Sequence, residues 1–269
     1  MSDVAPFLLT DICVMVTRPA HQADGLCRRI EAEGGNVMRF PVIAIREPAD
    51  PGRVAAVVDR LAEFEVAVFV SQNAVDWGMR LIQDREQSST HLKIITIGPG
   101  TAAALHRYGV TNAVFPTEQA NSEALLTLPE LAPGAVNGQR ILIFRGEGGP
   151  DFLGQELSVR GALVDYAEVY RRVRPVAKAA TITDPGGLKS VDIIMTTSRE
   201  GLLNLFNMIG KDTREQLLQI PLVLVSQRMV GLAKTLGFTS ELLIATAASD
   251  EGLVEAVKAW SYTYKESEE

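Results

Sequence analysis

The chain is expected to be an α/β protein of two domains, each a parallel sheet covered by helices, and three observations predict this. Short apolar, β-branched runs alternate with helical stretches from Ile12 onward, the pattern of βαβ units whose sheets are buried on both faces. The length, 269 residues, exceeds the commonest single-domain size and points to two domains of roughly 120 residues each. The chain also matches itself. Val14-Met15-Val16-Thr17-Arg18 aligns with Ile141-Leu142-Ile143-Phe144-Arg145, Gly34 with Gly161 and Ser71 with Ser198 at an offset of 127, and Gly109 with Gly237 and Glu123 with Glu251 at an offset of 128.

Taken in order, Ile12 to Thr17 is a buried strand, and Ala20 to Glu33 is a helix with Ala23, Leu26 and Ile30 on one face, stopped at Gly34-Gly35. Val37 to Ile45 is a long apolar strand in which Pro41 removes one backbone donor. A helix over 51–64, a strand over 66–70, a helix over 73–84 and a strand over 94–97 follow. Gly98-Pro99 leads into a helix over 100–108, Val114-Phe115 is a short strand, and Asn121-Ser122 caps a helix reaching Leu128. Pro133 to Gln139 is a polar turn, Arg140 to Phe144 a strand, and Pro150 to Arg160 a helix stopped by Gly161. Val164 to Val173 is a strand longer than usual, rich in β-branched and aromatic residues. A connector with a short helix near Pro185 to Leu188 precedes strands over 193–196, 222–225 and 242–244, which alternate with helices over 200–209, 227–236 and 249–260. Residues past Ser261 are polar and expected to fray.

The two overlong segments occupy equivalent places, since Val37 and Val164 also lie 127 apart. Two copies of one unit pack either consecutively or by exchanging their first βα pieces, and composition leaves both open. Two long crossing strands favour the exchange, with one discontinuous domain of residues 1–39 plus 173–269 and an inserted domain of residues 40–172.

The net charge of −7 disfavours nucleic acid, which needs a clustered basic face. No apolar run approaches the ~20 residues of a membrane span, and no basic region precedes the short apolar patch near the start, so a cytoplasmic protein without a membrane partner is expected. Cys13 and Cys27 suit a reducing compartment as small core residues, and no metal site is expected because no C-x-x-C occurs and His21, His91 and His106 lack ligand spacing.

Open α/β sheets bind ligands at the C-terminal ends of their strands. Three loop types recur there: strands ending in arginine (Thr17-Arg18-Pro19 and Phe144-Arg145-Gly146), hydroxyl-rich helix starts (Ser71-Gln72-Asn73-Ala74 and Thr196-Thr197-Ser198-Arg199), and Ile97-Gly98-Pro99-Gly100-Thr101 with its partner Val225-Ser226-Gln227-Arg228. Each offers backbone N–H groups and short hydroxyls at a helix N-terminus, which suits an anion. Ser71, Thr101, Ser122 and Ser198 are equally well explained as plain caps worth about 1 kcal/mol each. The recurrence in both halves favours a ligand cleft between domains. No P-loop, dinucleotide fingerprint or nucleophile triad is present. Tyr170 lies beside Arg171, Arg172 and Arg174, which would attract anions and favour its deprotonated form. Spacing alone favours an aromatic packed on a helix there.

The succession Val14-Met15-Val16-Thr17-Arg18-Pro19, Phe69-Val70-Ser71-Gln72-Asn73-Ala74-Val75, Ile97-Gly98-Pro99-Gly100-Thr101-Ala102, Ser122-Glu123-Ala124-Leu125-Leu126, Leu142-Ile143-Phe144-Arg145-Gly146-Glu147 and Val169-Tyr170-Arg171-Arg172 resembles the uroporphyrinogen-III synthase family over nearly the whole chain. The resemblance implies two flavodoxin-like α/β domains joined by a two-stranded β-ladder. It also implies a lyase that cyclises hydroxymethylbilane with loss of water and inversion of the last pyrrole through a spiro intermediate, in haem biosynthesis, with no metal or organic cofactor. The family's tyrosine falls on Tyr170, where it is proposed to help the hydroxyl leave. Family substrate contacts fall on the loops at Ser71, Gly98, Thr101, Ser198 and Ser226. With the loops above, the candidate substrate-binding set is Arg18, Ser71, Asn73, Gly98, Thr101, Ser122, Arg145, Gly146, Thr197, Ser198 and Ser226, in a monomer. Ser226-Gln227-Arg228-Met229 departs from the Gly-Pro-x-Thr form of its partner loop, so the hydroxyl expected there is missing. A non-catalytic sensor of an anionic ligand is the rival reading, and a nucleotide-dependent enzyme a weaker one.

Overall fold

The structure, a computed structural model, describes residues 8–175 and 187–268. Its strands are β1 (Cys13–Val16), β2 (Asn36–Arg39), β3 (Ala44–Arg46), β4 (Val66–Phe69), β5 (Lys93–Thr96), β6 (Arg140–Gly146), β7 (Leu163–Val173), β8 (Ile193–Met195), β9 (Leu222–Leu224) and β10 (Leu242–Ile244). The helices are α1 (Ala20–Ala32), α2 (Pro51–Val58), α3 (Gln72–Asp84), α4 (Pro99–His106), α5 (Ser122–Leu125), α6 (Pro133–Val136), α7 (Phe152–Val159), α8 (Arg199–Met208), α9 (Arg214–Leu218), α10 (Gln227–Leu236) and α11 (Asp250–Glu268). Among the described residues, no helix is long and apolar enough to cross a membrane.

The chain divides into two compact units. The first comprises Met1–Ala44 with Val173–Glu269, and the second Ile45–Arg172. In the first unit the sheet order is β10-β9-β8-β1-β2. Numbered within the unit, that is the doubly wound order 2-1-3-4-5. The second unit has the order β3-β7-β6-β4-β5, and Val114 bridges in parallel to Ile95 of β5. Starting from β6, this is the same winding with β3 added at the edge beside β7.

Each sheet thus joins the first βαβ of one sequence copy to the remainder of the other, in matching register. Val14 pairs with Val37 and with Ile193. Its repeat partner Ile141 pairs with Val164 and with Val66, the repeat partners of Val37 and Ile193 at the same 127-residue offset. A one-residue slip would turn every side chain to the opposite face, so burial on both faces fixes this register.

Local chemistry starts and stops the helices. Asp50 accepts the Arg53 N–H ahead of Pro51, and Ser71 accepts the Ala74 N–H at the head of α3. Gly109 and Gly237, repeat partners, end α4 and α10 at φ of 78° and 94°, where a side chain would be strained. Alternation along β4 sends Ala67 and Phe69 into one core with Met79, Phe144 and Tyr170, and Val66 and Val68 into another with Leu125, Ile141 and Leu157. In the first unit, Val14, Val16, Leu26, Ile30, Leu253 and Trp260 form a core between the sheet, α1 and α11. Burying each such large side chain stabilises by about 1.5–3 kcal/mol.

Some expectations change. The segment Val37 to Ile45 is two strands, interrupted at residues 40–43 where Pro41 has no N–H to give. Phe40 and Val42 still donate to Val16 and Thr17, so the backbone stays tied to β1 through the break. The helix expected over 51–64 stops at Val58 and resumes as a single turn over Leu61–Glu63. Pro133 starts a one-turn helix within the expected polar turn. The last helix continues to Glu268 instead of fraying after Ser261. Of the helix expected near Pro185 to Leu188, residues 185 and 186 lie outside the described residues, and Gly187–Ser190 is a 3-10 turn.

Candidate active site

Within the second unit, the C-terminal ends of β4, β6 and β7 surround a cavity of about 270 Å³, lined among others by Ser71, Ser122, Arg145, Gly146, Tyr166 and Tyr170. Tyr170 is only 2% exposed and belongs to the Phe69, Phe144 and Met79 core. A β-bulge sets its direction. Arg145 pairs with Glu168, but the next partner of β7, opposite Gly146, is Tyr170, so Val169 is the extra residue. Strict alternation would put Tyr170 on the face of Val164 and Tyr166, which pack against the Leu157 core; the bulge moves it to the face of Ala167 and Val169.

Gly146 supports the tyrosine from below. A Cβ there would come within 2.7 Å of the Tyr170 ring, so no larger residue fits without moving the phenol. The Tyr170 hydroxyl lies 3.2 Å from Ser71 Oγ, which also accepts the Ala74 N–H at 3.0 Å. Tyr170 is therefore both a packed strand aromatic and a wall of the cavity. Of the neighbouring arginines, Arg172 lines the cavity, whereas exposed Arg171 donates Nε–H to the Glu47 carbonyl at 3.0 Å.

Arg145 is 9% exposed and held by its own unit. Its guanidinium donates to the Gly149 and Pro150 carbonyls at 3.0 and 3.2 Å, to Asp151 at 2.7 Å and to Glu168 at 3.0 Å. It also lies 3.8 Å from the centroid of the Tyr166 ring. Burial pushes the Tyr166 phenol up, with the Arg145 charge opposing. With two carboxylates beside it, Arg145 braces the Gly146-Glu147-Gly148-Gly149 loop and has little charge left for a ligand. Sequence reasoning missed Tyr166, Asp151 and Glu168, whose roles depend on where the guanidinium turns.

Of the remaining candidates Ser122 lines the cavity, and the others fall elsewhere. Asn73 is buried in the first turn of α3, and Thr101, 5% exposed, sits in the first turn of α4 with its N–H on the Gly98 carbonyl. A Cβ on Gly98 would meet Ala120 at 2.6 Å, and Ile97 is the residue of that loop on the cavity. Ser122 follows the true cap, Asn121, whose Oδ1 accepts the Ala124 N–H at 2.7 Å.

In the first unit, Arg18 is paired with Asp250 at the head of α11, and Ser198 caps α8 through the Gly201 N–H at 2.9 Å. Thr197 is half-buried beside that cap, and Ser226 occupies the cap position of α10 without a side-chain bond to it. Among the described residues no group of three or more His, Cys, Asp or Glu could hold a metal ion.

A family model described as uroporphyrinogen-III synthase HemD matches residues 24–255. The chain is 30% identical over 247 residues to uroporphyrinogen-III synthase of Escherichia coli (strain K12), covering 91% of this chain and 99% of that one. It is 31% identical to the protein of the same name from Salmonella typhimurium over the same shares. A solved uroporphyrinogen III synthase mutant from the extremely thermophilic bacterium Thermus thermophilus superposes with a TM-score of 0.58 at 15% identity, over 95% of this chain and 99% of that one. The corresponding synthetase from Helicobacter pylori 26695 gives 0.57 at 12% identity, over 93% and 99%. At these identities the structures speak for the fold.

Proposed function

The chain belongs to the uroporphyrinogen-III synthase family, and on that premise we propose how its residues close hydroxymethylbilane to uroporphyrinogen III. The enzyme is a lyase of tetrapyrrole biosynthesis acting on a small-molecule substrate. The hydroxymethyl C–O bond breaks as ring electrons push the hydroxyl out, and water leaves once that oxygen gains a proton. Ring D then inverts and the macrocycle closes, releasing a proton as the ring becomes aromatic again.

We assign the proton to Tyr170, and the observation that carries the assignment is its hydroxyl on the wall of a cavity at the strand ends, beside Ser71. A positioned acid of this kind contributes about 10²- to 10⁴-fold. Acetate and propionate arms on every pyrrole suit loops with free N–H groups and short hydroxyls, and we assign them to the Gly98, Thr101 and Ser122 loops of the second unit, while the Thr197, Ser198 and Ser226 loops of the first unit carry the same chemistry. Arg145 and Gly146 then act by shaping the cavity, and the Arg18 guanidinium is engaged by Asp250. Most of the remaining acceleration comes from holding the folded chain in the inverting geometry, because the free bilane closes without inversion. We further propose a cytoplasmic monomer.

The test supplies hydroxymethylbilane and separates the porphyrin isomers. The expected result is type III product from the wild-type protein and a loss of at least about 100-fold in its formation by Tyr170→Phe with an unchanged melting curve. Type I product alone at the spontaneous rate would overturn the activity. Unchanged turnover in Tyr170→Phe would remove the tyrosine from the chemistry.

A further inference from the structure

Ser71 faces two partners at once. Its Oγ accepts the Ala74 N–H at 3.0 Å as the cap of α3 and stands 3.2 Å from the Tyr170 oxygen. A serine hydroxyl that accepts from a backbone N–H still has one proton of its own to place. Tyr170 is buried with its ring against Gly146, and it lines the same cavity as Ser71.

The repeat supplies an internal control. Ser198 makes the same cap in the first unit, accepting the Gly201 N–H at 2.9 Å. The repeat position of Tyr170, however, holds Ile43, a residue with no hydroxyl. A serine at this place therefore serves as a cap without a phenol, and the second bond of Ser71 is an addition to that role.

We propose that Ser71 is the positioning residue of Tyr170: it donates its hydroxyl proton to the phenol oxygen, so that the phenol's own proton turns into the cavity toward the leaving oxygen. The inference rests on the reading of Tyr170 as the acid. The chain Ala74 N–H to Ser71 O–H to Tyr170 O–H runs in one direction, and each donor in such a chain strengthens the next. The positive end of α3 lies at its start, which favours the electron density that builds on the phenol as its proton leaves. In the opposite sense, with Tyr170 donating to Ser71, the acid proton would be turned away from substrate. The two senses differ in what removing the serine does.

The experiment compares Ser71→Gly and Ser71→Thr in the wild-type and Tyr170→Phe backgrounds, measuring kcat and KM for type III product together with melting curves. Glycine replaces serine at a cap with only a small loss of stability, so fold and hydroxyl are separated. The expected result is a kcat lowered about tenfold in Ser71→Gly, the scale of one hydrogen bond, with KM within about twofold. Ser71→Thr restores kcat, and Ser71→Gly costs nothing further when Tyr170 is already phenylalanine. An unchanged or raised kcat in Ser71→Gly, or an equal loss in both backgrounds, overturns the donation while leaving the acid in place. Full activity of Tyr170→Phe alone would overturn the acid itself, which keeps the two failures distinct. Should Ser71→Gly not fold, Ser71→Ala, which removes the hydroxyl without adding a charge, takes its place with the same outcomes.

Discussion

At the C-terminal ends of their central strands the two units carry different side chains on one register. In the second unit Phe69 and Phe144 stack at 4.5 Å and 7°. Their repeat partners in the first unit are Thr196 and Thr17. Thr17 donates to the Met195 carbonyl at 2.7 Å, while Thr196 Oγ1 is buried with no hydrogen-bond partner among the described residues. Helix residues compensate in the opposite sense. Gly78 gives the rings room, since a Cβ there would lie 2.7 Å from Phe144, whereas its repeat partner is the fully buried Leu205. A duplicated backbone register therefore tolerates either a bulky or a small strand end, provided the helix above carries the complementary volume. The unit with the aromatic filling is also the one with the phenol.

The largest expected effect comes from exchanging these fillings. Phe69→Thr with Phe144→Thr should destabilise the second unit by about 3 kcal/mol or more per ring, and adding Gly78→Leu should return part of that loss. Chemical denaturation of the three variants checks it, and a triple variant no more stable than the double would show that strand and helix volumes are independent. A smaller effect tests the matched caps. Ser198→Ala should lower stability by about 1 kcal/mol, the ordinary value of a cap. A loss several times larger, read from the same denaturation curves, would mean that Ser198 carries a contact beyond Gly201.

The smallest effect concerns one surface aspartate in each unit. A hydrogen bond from Arg39 holds the Asp24 carboxyl below its usual range, and one from Arg85 does the same for Asp59. Because both folded values are lowered, the stability they contribute is present above the ordinary aspartate value of about 3.8 and fades as pH falls through the folded values. Asp24→Asn and Asp59→Asn should each lower the melting temperature slightly at neutral pH and not at all near pH 2, and added salt should shrink both differences. A difference that persists at pH 2 would assign it to packing.

Much of this fold was legible because it follows from local rules. Apolar runs bounded by Gly34, Gly109, Gly161 and Gly237 marked strands and helix stops, and the repeat offset marked which strands occupy equivalent places. The break at Pro41 was legible only as a missing donor. That Phe40 and Val42 keep bonding β1 across it depends on a strand already in place. Ser71 and Tyr170 were both visible as candidates from separate motifs, yet nothing local joins residues 99 positions apart in sequence. How Arg145 is engaged was not legible for a related reason. An arginine at a strand end looks ligand-ready until Asp151 and Glu168 close on it.

The sequence by itself determined the α/β class, the duplication and the family, since periodicity, turn residues and motif order are properties of neighbours along the chain. Only the tertiary structure decided which way Tyr170 points. Strand alternation assigns it to the face of Tyr166, and a single extra residue at Val169, forced by the register between β6 and β7, carries it to the opposite face and within reach of Ser71. A bulge is a property of two paired strands, so neither strand's sequence read alone contains it.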